Sequence, residues 1–293
     1  MAKGYVIYNP LAGNGKTEED VKLLELLLDR DLEYFDMTRI TNYSALIGAM
    51  EKEDLLVVAG GDGTLNRFVN DTSGIDIPGE ILYYPIGTGN DFARDLGMGE
   101  NPAPVTQYLK QLPSVEVNGK RYRFINGVGF GIDGYCCQVG DELKKIPGKK
   151  VSYAGIAVKG LLFYYHARNA KVWVDGEEYT YKKVWIAPTM HGKYYGGGMI
   201  PTPEQDRTSG KLTLMLFHGA GRLRTLCVFP GIFQGKHVKH TKLVALHTGS
   251  EITVKFDRPT PLQIDGETIS GVTGYTARAA SCNLKKAEEF AAV

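Results

Sequence analysis

Strand-like and helix-like patterns alternate along the first third of the chain. Apolar runs at 4–8 and 54–59 predict buried strands, whereas 17–29 carries valine and leucine at the spacing of an amphipathic helix. By the same criteria, further strands are predicted at 32–36 and 81–84, and further helices at 43–52 and 91–95. Another helix is predicted to begin at 65–70. Because the strands are short apolar runs that alternate with helices, we expect a parallel sheet covered on both faces.

The pattern changes near residue 121, where short β-rich runs begin. Gly, Pro and Asp turns separate these runs, which are predicted at 122–126, 171–174, 184–188, 211–217, 242–247, 251–256 and 274–279. One helix is expected at 153–165. The chain is therefore predicted to form an N-terminal three-layer α/β domain over 1–120 and a C-terminal β-rich, sandwich-like domain over 121–280. The tail, 281–293, is predicted to pack back on the first domain, and a helix is predicted within it at 284–292.

Composition and charge narrow the classes of function. Lys and Arg total 34 against 33 Asp and Glu, so no net basic charge is available to hold nucleic acid. The start lacks a signal-peptide pattern, and the longest apolar stretch, 151–165, is shorter than the ~20 residues that span a bilayer. The four cysteines contain no CxxC and fit neither a disulfide framework nor a zinc site. We expect a cytoplasmic protein.

The strongest local motif is Gly60-Gly61-Asp62-Gly63-Thr64, between a buried strand and a predicted helix. Glycines let backbone N–H groups approach phosphate oxygens closely, and a helix N-terminus favours negative charge. Thr64 is expected to cap the helix, and Asp62 to offer a carboxylate to Mg²⁺. The alternative is a turn whose aspartate only caps the next helix. The position at the carboxyl end of a parallel strand favours phosphate binding.

Two further loops follow predicted strands of the same sheet. The loop 9–17 ends in Gly-Lys-Thr, but a Walker A motif needs glycine where this chain has Pro10, so that motif is excluded. Lys16 can still act as a point charge near phosphate, although a plain strand-to-helix turn is the alternative. The loop 85–91 is rich in Gly and Asx residues. Three such loops at one sheet edge predict a nucleotide site more strongly than any one of them.

The second half of the chain contains two motifs with open interpretations. The run 129–134 matches GxGxxG, but no acidic residue ends a strand about twenty residues later, so dinucleotide binding is disfavoured. Asp133 either points into a ligand site or stabilises a turn. In Asp265-Gly266-Glu267, an extended backbone would place both carboxylates on one face, where they could deprotonate an alcohol or hold a metal. A hairpin turn with exposed acids is the alternative.

Together these motifs resemble the diacylglycerol kinase catalytic family, which includes bacterial diacylglycerol kinases and sphingosine and ceramide kinases. The matching residues are Asn9-Pro10 with Gly13, the run 60–66, Gly87-Thr88 with 90–94, Gly196-Gly197-Gly198, Gly235 with His237, and Asp265-Gly266-Glu267. They stand in family order over nearly the whole chain. The resemblance implies an α/β nucleotide domain and a β-rich domain with the active site in the cleft between them. It also implies a lipid kinase that uses ATP and Mg²⁺.

The candidate site residues follow from the motifs and the resemblance. Glu267, Asp265 and Asp62 are the catalytic candidates, and either Asp265 or Glu267 accepts the hydroxyl proton. Asp133 is the substrate-binding candidate, and Asp62 and Asp91 are candidates to hold a metal through the nucleotide phosphates. The nucleotide-binding candidates are Asn9, Pro10, Leu11, Ala12, Gly13, Lys16, Thr38, Gly60, Gly61, Asp62, Gly63, Thr64, Leu65, Asn66, Thr88, Asn90 and Asp91.

The chain departs from the family pattern at two places. Arg67 stands where the family commonly has glutamate. The run 208–210 reads Thr-Ser-Gly, whereas relatives have Asp-Asp-Gly and hold a structural magnesium ion there. Asp206 is a weak substitute, so we expect no tightly held ion in this loop. Thr38 also has a rival in Thr41 for the family threonine beyond the second strand.

Two other functions remain open from the sequence. One is a kinase of a soluble nucleotide such as NAD, because NAD kinases also carry the GGDGT motif. The other is a lipid-binding regulator with little turnover, which the departures at Arg67 and 208–210 suggest. The expected partners are a lipid substrate at the inner membrane surface and no nucleic acid, and a homodimer is left open.

Overall fold

The structure is a computed structural model and describes residues 2–12, 17–146 and 151–280. The chain divides into two compact units, Met1–Gln111 and Leu112–Val293. The tail 281–293, with the helix predicted at 284–292, lies outside the described residues. Within the described ranges, no helix is long and apolar enough to cross a membrane.

In its described residues, the N-terminal unit contains a five-stranded sheet and six short helices. The strands are β1 (Lys3–Tyr8), β2 (Asp31–Asp36), β3 (Leu55–Gly60), β4 (Glu80–Pro85) and β5 (Ala103–Pro104). The helices are α1 (Thr17–Lys22), α2 (Leu24–Leu27), α3 (Tyr43–Gly48), α4 (Asp62–Asp71), α5 (Asp91–Asp95) and α6 (Thr106–Lys110). The strand order is β2-β1-β3-β4-β5, and all neighbours are parallel except β4 and β5. This confirms the predicted parallel sheet.

Helices cover both faces of this sheet. On one face, Val21 of α1 and Leu24 of α2 pack in a core with Val6 and Val57. On the other face, the ring of Tyr83 in β4 meets the ring of Phe92 in α5 edge-on, with the centroids 5.8 Å apart. The three-layer prediction is therefore confirmed.

The single helix predicted over 17–29 is wrong. The segment forms α1 and α2, separated at Leu23, and the backbone is extended at Leu28. Leu23, Leu26 and Leu27 face solvent, because the leucines occupy more positions than one buried stripe of a helix can take.

The C-terminal unit is built mainly from antiparallel strands. These are β6 (Ser114–Val117), β7 (Lys120–Arg123), β8 (Gly127–Phe130), β9 (Arg168–Val174), β10 (Glu177–Val184), β11 (Thr189–Met190), β12 (Leu212–Phe217), β13 (Val244–Gly249), β14 (Glu251–Ile264) and β15 (Glu267–Arg278). Its helical segments are α7 (Ile132–Lys144), α8 (Tyr153–Lys159), a π-helical turn (Gly160–Tyr164), α9 (Arg222–Val228) and two 3₁₀ turns (Phe229–Gln234 and Lys236–Lys239).

The long strand β14 organises this unit. It pairs with β15 along most of its length, with β9 through its first half and with β8 through its last residues. Its register shifts between Lys255 and Leu262, and such shifts bend a strand. Phe130 on β8 stacks on Phe256 of β14, with the ring centroids 4.1 Å apart. The predicted antiparallel, sandwich-like domain is confirmed.

Some predicted elements of this unit are wrong. The run 184–188 is not a strand: β10 ends at Val184, and Ile186 makes only isolated bridges. Helix α7 was not predicted, although its buried residues Ile132, Cys136 and Gly140 recur every four positions. The helix predicted at 153–165 is present as α8 and the π-helical turn, and Ser152 caps it by accepting a hydrogen bond from the Gly155 amide.

Candidate active site

Three loops of the N-terminal unit leave the carboxyl ends of neighbouring parallel strands. Strands β1, β3 and β4 are adjacent in the sheet, and the loops that follow them begin at Asn9, Gly61 and Ile86. In open parallel sheets this edge is where ligands bind. The strand order therefore brings together the three loops that the sequence singled out.

The glycine-rich loop after β3 leads directly into α4. The helix begins at Asp62 with Gly61 as its N-cap, and Thr64 is buried inside the first turn. The prediction that Thr64 caps the helix is wrong, because its side chain packs on Gly60, where a Cβ would lie 2.4 Å from the Thr64 hydroxyl oxygen. Gly63 is exposed, with open space where its Cβ would be. The first turn of α4 therefore offers backbone N–H groups toward solvent.

Asp62 ties this loop to the next one. Its two carboxylate oxygens accept hydrogen bonds from the backbone amides of Asp91, at 2.8 Å, and Phe92, at 2.9 Å. A Cβ on Gly87 would lie 2.3 Å from the Cα of Gly61, so only glycine allows this approach of the two loops. Asp62 thus caps α5, the neighbouring helix, and fixes the loop after β3 against the loop after β4.

The loop after β4 is closed by its own asparagine. Asn90 has a left-handed backbone with φ of 50°, and its side-chain amide donates to the carbonyl oxygens of Pro85 and Gly87, both at 2.9 Å. Thr88 is exposed at the tip of this loop. The Asn90 side chain therefore shapes the loop, while Thr88 and the neighbouring backbone face solvent.

The buried members of the predicted nucleotide set support α4 from inside. Leu65 is fully buried, and its amide donates to the Gly61 carbonyl. The carbonyl of Asn66, also buried, accepts a hydrogen bond from the Asn70 side chain. Arg67, on the exposed side of the helix, pairs with Asp71 at 3.3 Å.

The loop after β1 is described only in part. Asn9 accepts a hydrogen bond from the Leu11 amide through its side chain and one from the Ala12 amide through its carbonyl. These bonds turn the chain at Pro10 and leave Leu11 exposed. Gly13 and Lys16 lie outside the described residues.

Thr38 lies just beyond β2. Its amide and hydroxyl both donate to one oxygen of Asp36, at 2.8 and 2.7 Å. Burial alone would raise the pKa of Asp36, but these hydrogen bonds and Arg39 hold it below its usual value. The Thr38 hydroxyl can still accept a hydrogen bond, because only its proton is used.

The acidic groups of this unit fit a magnesium ion only in part. Asp91 is buried, and one of its oxygens lies 3.7 Å from Arg94. Among the described residues, no cluster of three or more His, Cys, Asp or Glu side chains could hold a metal. Mg²⁺ near Asp62 would therefore need phosphate and water oxygens to complete its shell, which is usual for this ion.

In the C-terminal unit, Asp265 and Gly266 form the two-residue turn between β14 and β15. Both residues have positive φ, 46° and 98°, as a type I′ hairpin requires. The Asp265 carboxylate accepts three backbone amides, from Ile125 at 2.6 Å and from Asn126 and Gly127 at 2.9 Å each. The extended backbone considered for this motif is therefore wrong. The turn interpretation is correct, except that the Asp265 carboxylate is engaged by the protein.

The same tripeptide occurs a second time, at the turn between β9 and β10. Asp175 and Gly176 also have positive φ, 49° and 92°. One oxygen of Asp175 accepts the amides of Ser250 and Glu251, both at 2.8 Å. Aspartate in an Asp-Gly turn thus binds neighbouring amides at both places, so the tripeptide alone does not define a catalytic site.

Glu267 differs from Asp265 in having its carboxylate in solvent. It begins β15, and no hydrogen bond from a described residue reaches its carboxylate. The hairpin is held in place beside α7, since the Thr268 hydroxyl donates to Asp141 at 2.9 Å. The Gly266 amide donates to the buried side chain of Gln263 at 2.7 Å. Glu267 is therefore an exposed carboxylate on a rigid turn.

Asp133 lies in the first turn of α7 and is buried. Tyr195 donates to one of its oxygens at 3.3 Å, and its other oxygen is buried without a hydrogen-bond partner. Burial raises the pKa of Asp133 to about 6, although nearby amides and Tyr195 favour the charged form. A partly protonated carboxyl group can donate as well as accept a hydrogen bond.

The run 129–134 lies in a strand–turn–helix context, since β8 leads through Gly131 into α7. Its glycines serve packing. A Cβ on Gly129 would lie 1.7 Å from the Asp133 carboxylate, and one on Gly134 would lie 2.2 Å from the Pro261 carbonyl oxygen. This filled space leaves no room for a pyrophosphate, which agrees with the interpretation that disfavours a dinucleotide site here.

Sequence reasoning missed Arg207, which braces the segment that holds Asp265. Its buried guanidinium donates to the Ile125 carbonyl at 3.0 Å and to the Asn126 side chain at 3.3 Å. Beside it, burial lowers the pKa of His191 to about 3, and the charge of Arg207 acts in the same direction. No local signal marks Arg207, because its partners are about 80 positions away in the sequence.

The loop around Thr208 and Ser209 is closed by hydrogen bonds. Asp206 accepts the Thr208 amide and hydroxyl through one oxygen, both at 2.8 Å, and its carbonyl accepts the Ser209 hydroxyl at 2.7 Å. These bonds lower the pKa of Asp206. The carboxylate that the sequence considered as a substitute metal ligand is therefore engaged in a local turn.

Comparison with known proteins agrees with both units. The sequence profile described as the diacylglycerol kinase catalytic domain matches residues 3–118. The profile described as the YegS C-terminal NAD kinase beta sandwich-like domain matches residues 126–282. The name NAD kinase enters this second description through the architecture of the sandwich.

Named relatives cover most of the chain. The diacylglycerol kinase of Mycobacterium tuberculosis (strain ATCC 25618 / H37Rv) is 27% identical over 252 residues, which are 82% of this chain and 81% of that protein. The diacylglycerol kinase of Bacillus subtilis (strain 168) is 26% identical over 289 residues, which are 91% and 90% of the two chains.

Solved structures show the same fold. A chain from Bacillus anthracis str. Sterne matches with a TM-score of 0.64 and 22% identity, over 94% of this chain and 91% of its own. A diacylglycerol kinase from the same strain matches with a TM-score of 0.60 and 18% identity, over 95% and 94%. With both sequence profiles in chain order and named relatives over most of its length, the chain belongs to the diacylglycerol kinase family and is a lipid kinase.

Proposed function

We propose that this lipid kinase transfers the γ-phosphoryl group of ATP, bound with Mg²⁺, to the free hydroxyl of a diacylglycerol or a similar lipid. The contrast between the two carboxylates of the β14–β15 turn carries the proposal. Asp265 is engaged by three backbone amides, whereas Glu267, two positions later, is exposed and unengaged. A carboxylate that is free to move its proton, on a turn that is itself rigid, suits general-base catalysis.

Each residue of the turn then has one role. Glu267 accepts the proton of the lipid hydroxyl as the phosphoryl group is transferred. Asp265 is a positioning residue, because its hydrogen bonds to Ile125, Asn126 and Gly127 fix the turn on which Glu267 stands. Gln263 supports the same turn from the core side through the Gly266 amide.

The N-terminal unit supplies the nucleotide site. The amides of the first turn of α4 and the open space at Gly63 fit phosphate oxygens. Asp62 keeps this loop in register with the loop that carries Thr88, and its carboxylate lies at the same edge of the sheet. When bound, Mg²⁺ neutralises charge on the β- and γ-phosphate oxygens. Asp62, with Asp91 behind it, would hold the ion.

The lipid class follows from the relatives and from the acceptor chemistry. Both named relatives are diacylglycerol kinases. Asp133, buried near the turn in the same unit, can accept or donate a hydrogen bond to a polar headgroup. Because a diacylglycerol resides in a bilayer, the enzyme acts as a peripheral protein at the inner membrane face.

A substrate panel tests the proposal. The purified protein is incubated with radiolabelled ATP and diacylglycerol, monoacylglycerol, ceramide or sphingosine in mixed micelles, or with NAD in solution, with Mg²⁺ or with EDTA. We expect Mg²⁺-dependent labelling of diacylglycerol above the other lipids. Labelling of NAD alone would contradict the proposal in favour of a soluble nucleotide kinase. Nucleotide and lipid binding without labelling of any acceptor would contradict it in favour of a regulator.

A further inference from the structure

Large apolar side chains are exposed together on two helical segments of the C-terminal unit. Phe163 and Tyr164, at the end of the π-helical turn, are 65% and 66% exposed, and Leu223 in α9 is 75% exposed. The rings of Phe163 and Tyr164 lie 6.2 Å apart. Exposed large apolar side chains that cluster on a surface mark a site of interaction.

The two segments are fastened to each other. Arg222, adjacent to Leu223, donates to the carbonyl oxygens of Leu162 at 3.1 Å and Tyr165 at 3.3 Å. These carbonyls flank Phe163 and Tyr164 in the sequence, so the segment that carries Leu223 is fastened to the segment that carries the two aromatic residues. We call Phe163, Tyr164 and Leu223 the apolar face.

The apolar face is not required by the core beneath it. Leu161 and Tyr165 bury their side chains in the same hydrophobic cluster as Ile156 and Ile232. Thr225 is fully buried on the inner side of α9. Both segments thus have a complete inner side, and the residues of the apolar face point away from it.

The charge of these segments has one sign, although the whole chain has a net charge of only +1. The stretch 152–174 contains Lys159, Arg168 and Lys171 and no acidic residue. The stretch 207–250 also contains no acidic residue, and its seven basic residues are Arg207, Lys211, Arg222, Arg224, Lys236, Lys239 and Lys242. Lys159 and Arg224 are both exposed. In the sequence, Lys159 precedes Phe163 by four residues, and Arg224 directly follows Leu223. Aromatic and aliphatic side chains with flanking cations are typical of surfaces that bind anionic lipid.

We propose that the apolar face docks on an anionic phospholipid bilayer, with Phe163, Tyr164 and Leu223 entering the headgroup region and Lys159 and Arg224 contacting lipid phosphates. This inference deepens the proposed function, because it names the surface through which the kinase would reach a lipid in the membrane. It stands on exposure and charge alone and does not depend on which lipid is phosphorylated.

Vesicle sedimentation without nucleotide tests the docking. Binding is measured for vesicles of phosphatidylcholine and of phosphatidylcholine with phosphatidylglycerol. We expect the wild type to prefer the anionic vesicles and to lose binding as salt is raised. The double variant Phe163→Ser/Leu223→Ser should bind anionic vesicles at least about tenfold more weakly than the wild type does. Lys159→Glu should bind them at least about fivefold more weakly. Leu26→Ser, at a leucine 85% exposed in α2, and Lys52→Glu, at an exposed lysine, are the matched controls.

Two results would overturn the inference. One is binding of the double variant that equals that of the wild type, and the other is equal binding of the wild type to neutral and anionic vesicles. The double variant should keep wild-type activity on a water-soluble short-chain diacylglycerol, which shows that it is folded and that its defect lies in docking. If the wild type binds anionic vesicles but phosphorylates no lipid, the proposed function fails while the docking surface stands.

Discussion

Asp265→Asn separates the stability of the β14–β15 turn from its chemistry. The asparagine keeps one carbonyl oxygen for the amides of Asn126 and Gly127, but its NH₂ group faces the Ile125 amide, which was bound at 2.6 Å. A buried donor left without an acceptor costs about 1–3 kcal/mol. Loss of the charge on the two remaining hydrogen bonds adds roughly 1 kcal/mol, since the site is half-buried. We expect a loss of about 2–4 kcal/mol in the free energy of unfolding.

Asp175→Asn is the matched control, because the same tripeptide forms the same turn there. One oxygen of Asp175 accepts both amides, so asparagine keeps both hydrogen bonds. The position is exposed, and we expect a loss of at most about 1 kcal/mol. The comparison cancels effects common to Asp-Gly turns.

Urea denaturation followed by tryptophan fluorescence measures this difference. The chain has two tryptophans, Trp173 and Trp185, and both lie in the C-terminal unit, so the signal reports that unit. The midpoint should fall for Asp265→Asn with an unchanged slope. If Asp265→Asn lowers the free energy of unfolding no more than Asp175→Asn does, the three hydrogen bonds from backbone amides do not hold the turn. The positioning role of Asp265 is then refuted.

Three further predictions concern other residues of the site. Arg207→Met should lower kcat about tenfold with the KM for ATP unchanged, because it loosens the segment that holds the β14–β15 turn. Lys211→Met, at an exposed lysine, should leave kcat unchanged. Steady-state kinetics of both variants decide this. Asp133 has a folded-state pKa of about 6 against 3.8, so the folded state binds its proton more tightly and stability falls as pH rises through that window. The free energy of unfolding of Asp133→Asn should therefore exceed that of the wild type by about 2–3 kcal/mol at pH 8 and by almost nothing at pH 4. Urea denaturation at both pH values measures this difference. An equal gain at the two pH values would contradict the raised pKa of Asp133. Gly87→Ala, whose Cβ would meet backbone at 2.3 Å, should raise the KM for ATP at least about tenfold, whereas Gly48→Ala, which has open space, should leave it unchanged.

The N-terminal unit could be predicted well from sequence because buried parallel strands are recorded locally as apolar runs. Strands β1, β3 and β4 and the loops after them follow directly from that pattern. That Thr64 is buried against Gly60 and does not cap α4 could not be predicted, because it depends on a close packing that only the folded loop contains.

The C-terminal unit was predicted as a class but not in its connections. Strand β14 pairs with both β8 and β9, and such long-range pairing leaves no periodic signal in either partner. Asp265-Gly266-Glu267 shows the same limit at the level of the site. The identical tripeptide at Asp175 has the same backbone, and the difference between them lies in partners about 140 positions away.

The most direct test of the central claim compares wild type, Glu267→Gln and Glu177→Gln for transfer of radiolabelled phosphate from ATP to diacylglycerol at saturating substrates. Glu177 occupies the same place in the second Asp-Gly-Glu turn and is exposed as well. We expect Glu267→Gln to lower kcat at least ~100-fold without a change in urea midpoint, and Glu177→Gln to keep wild-type turnover. A kcat for Glu267→Gln within about fivefold of the wild type would contradict the assignment of Glu267 as the proton acceptor.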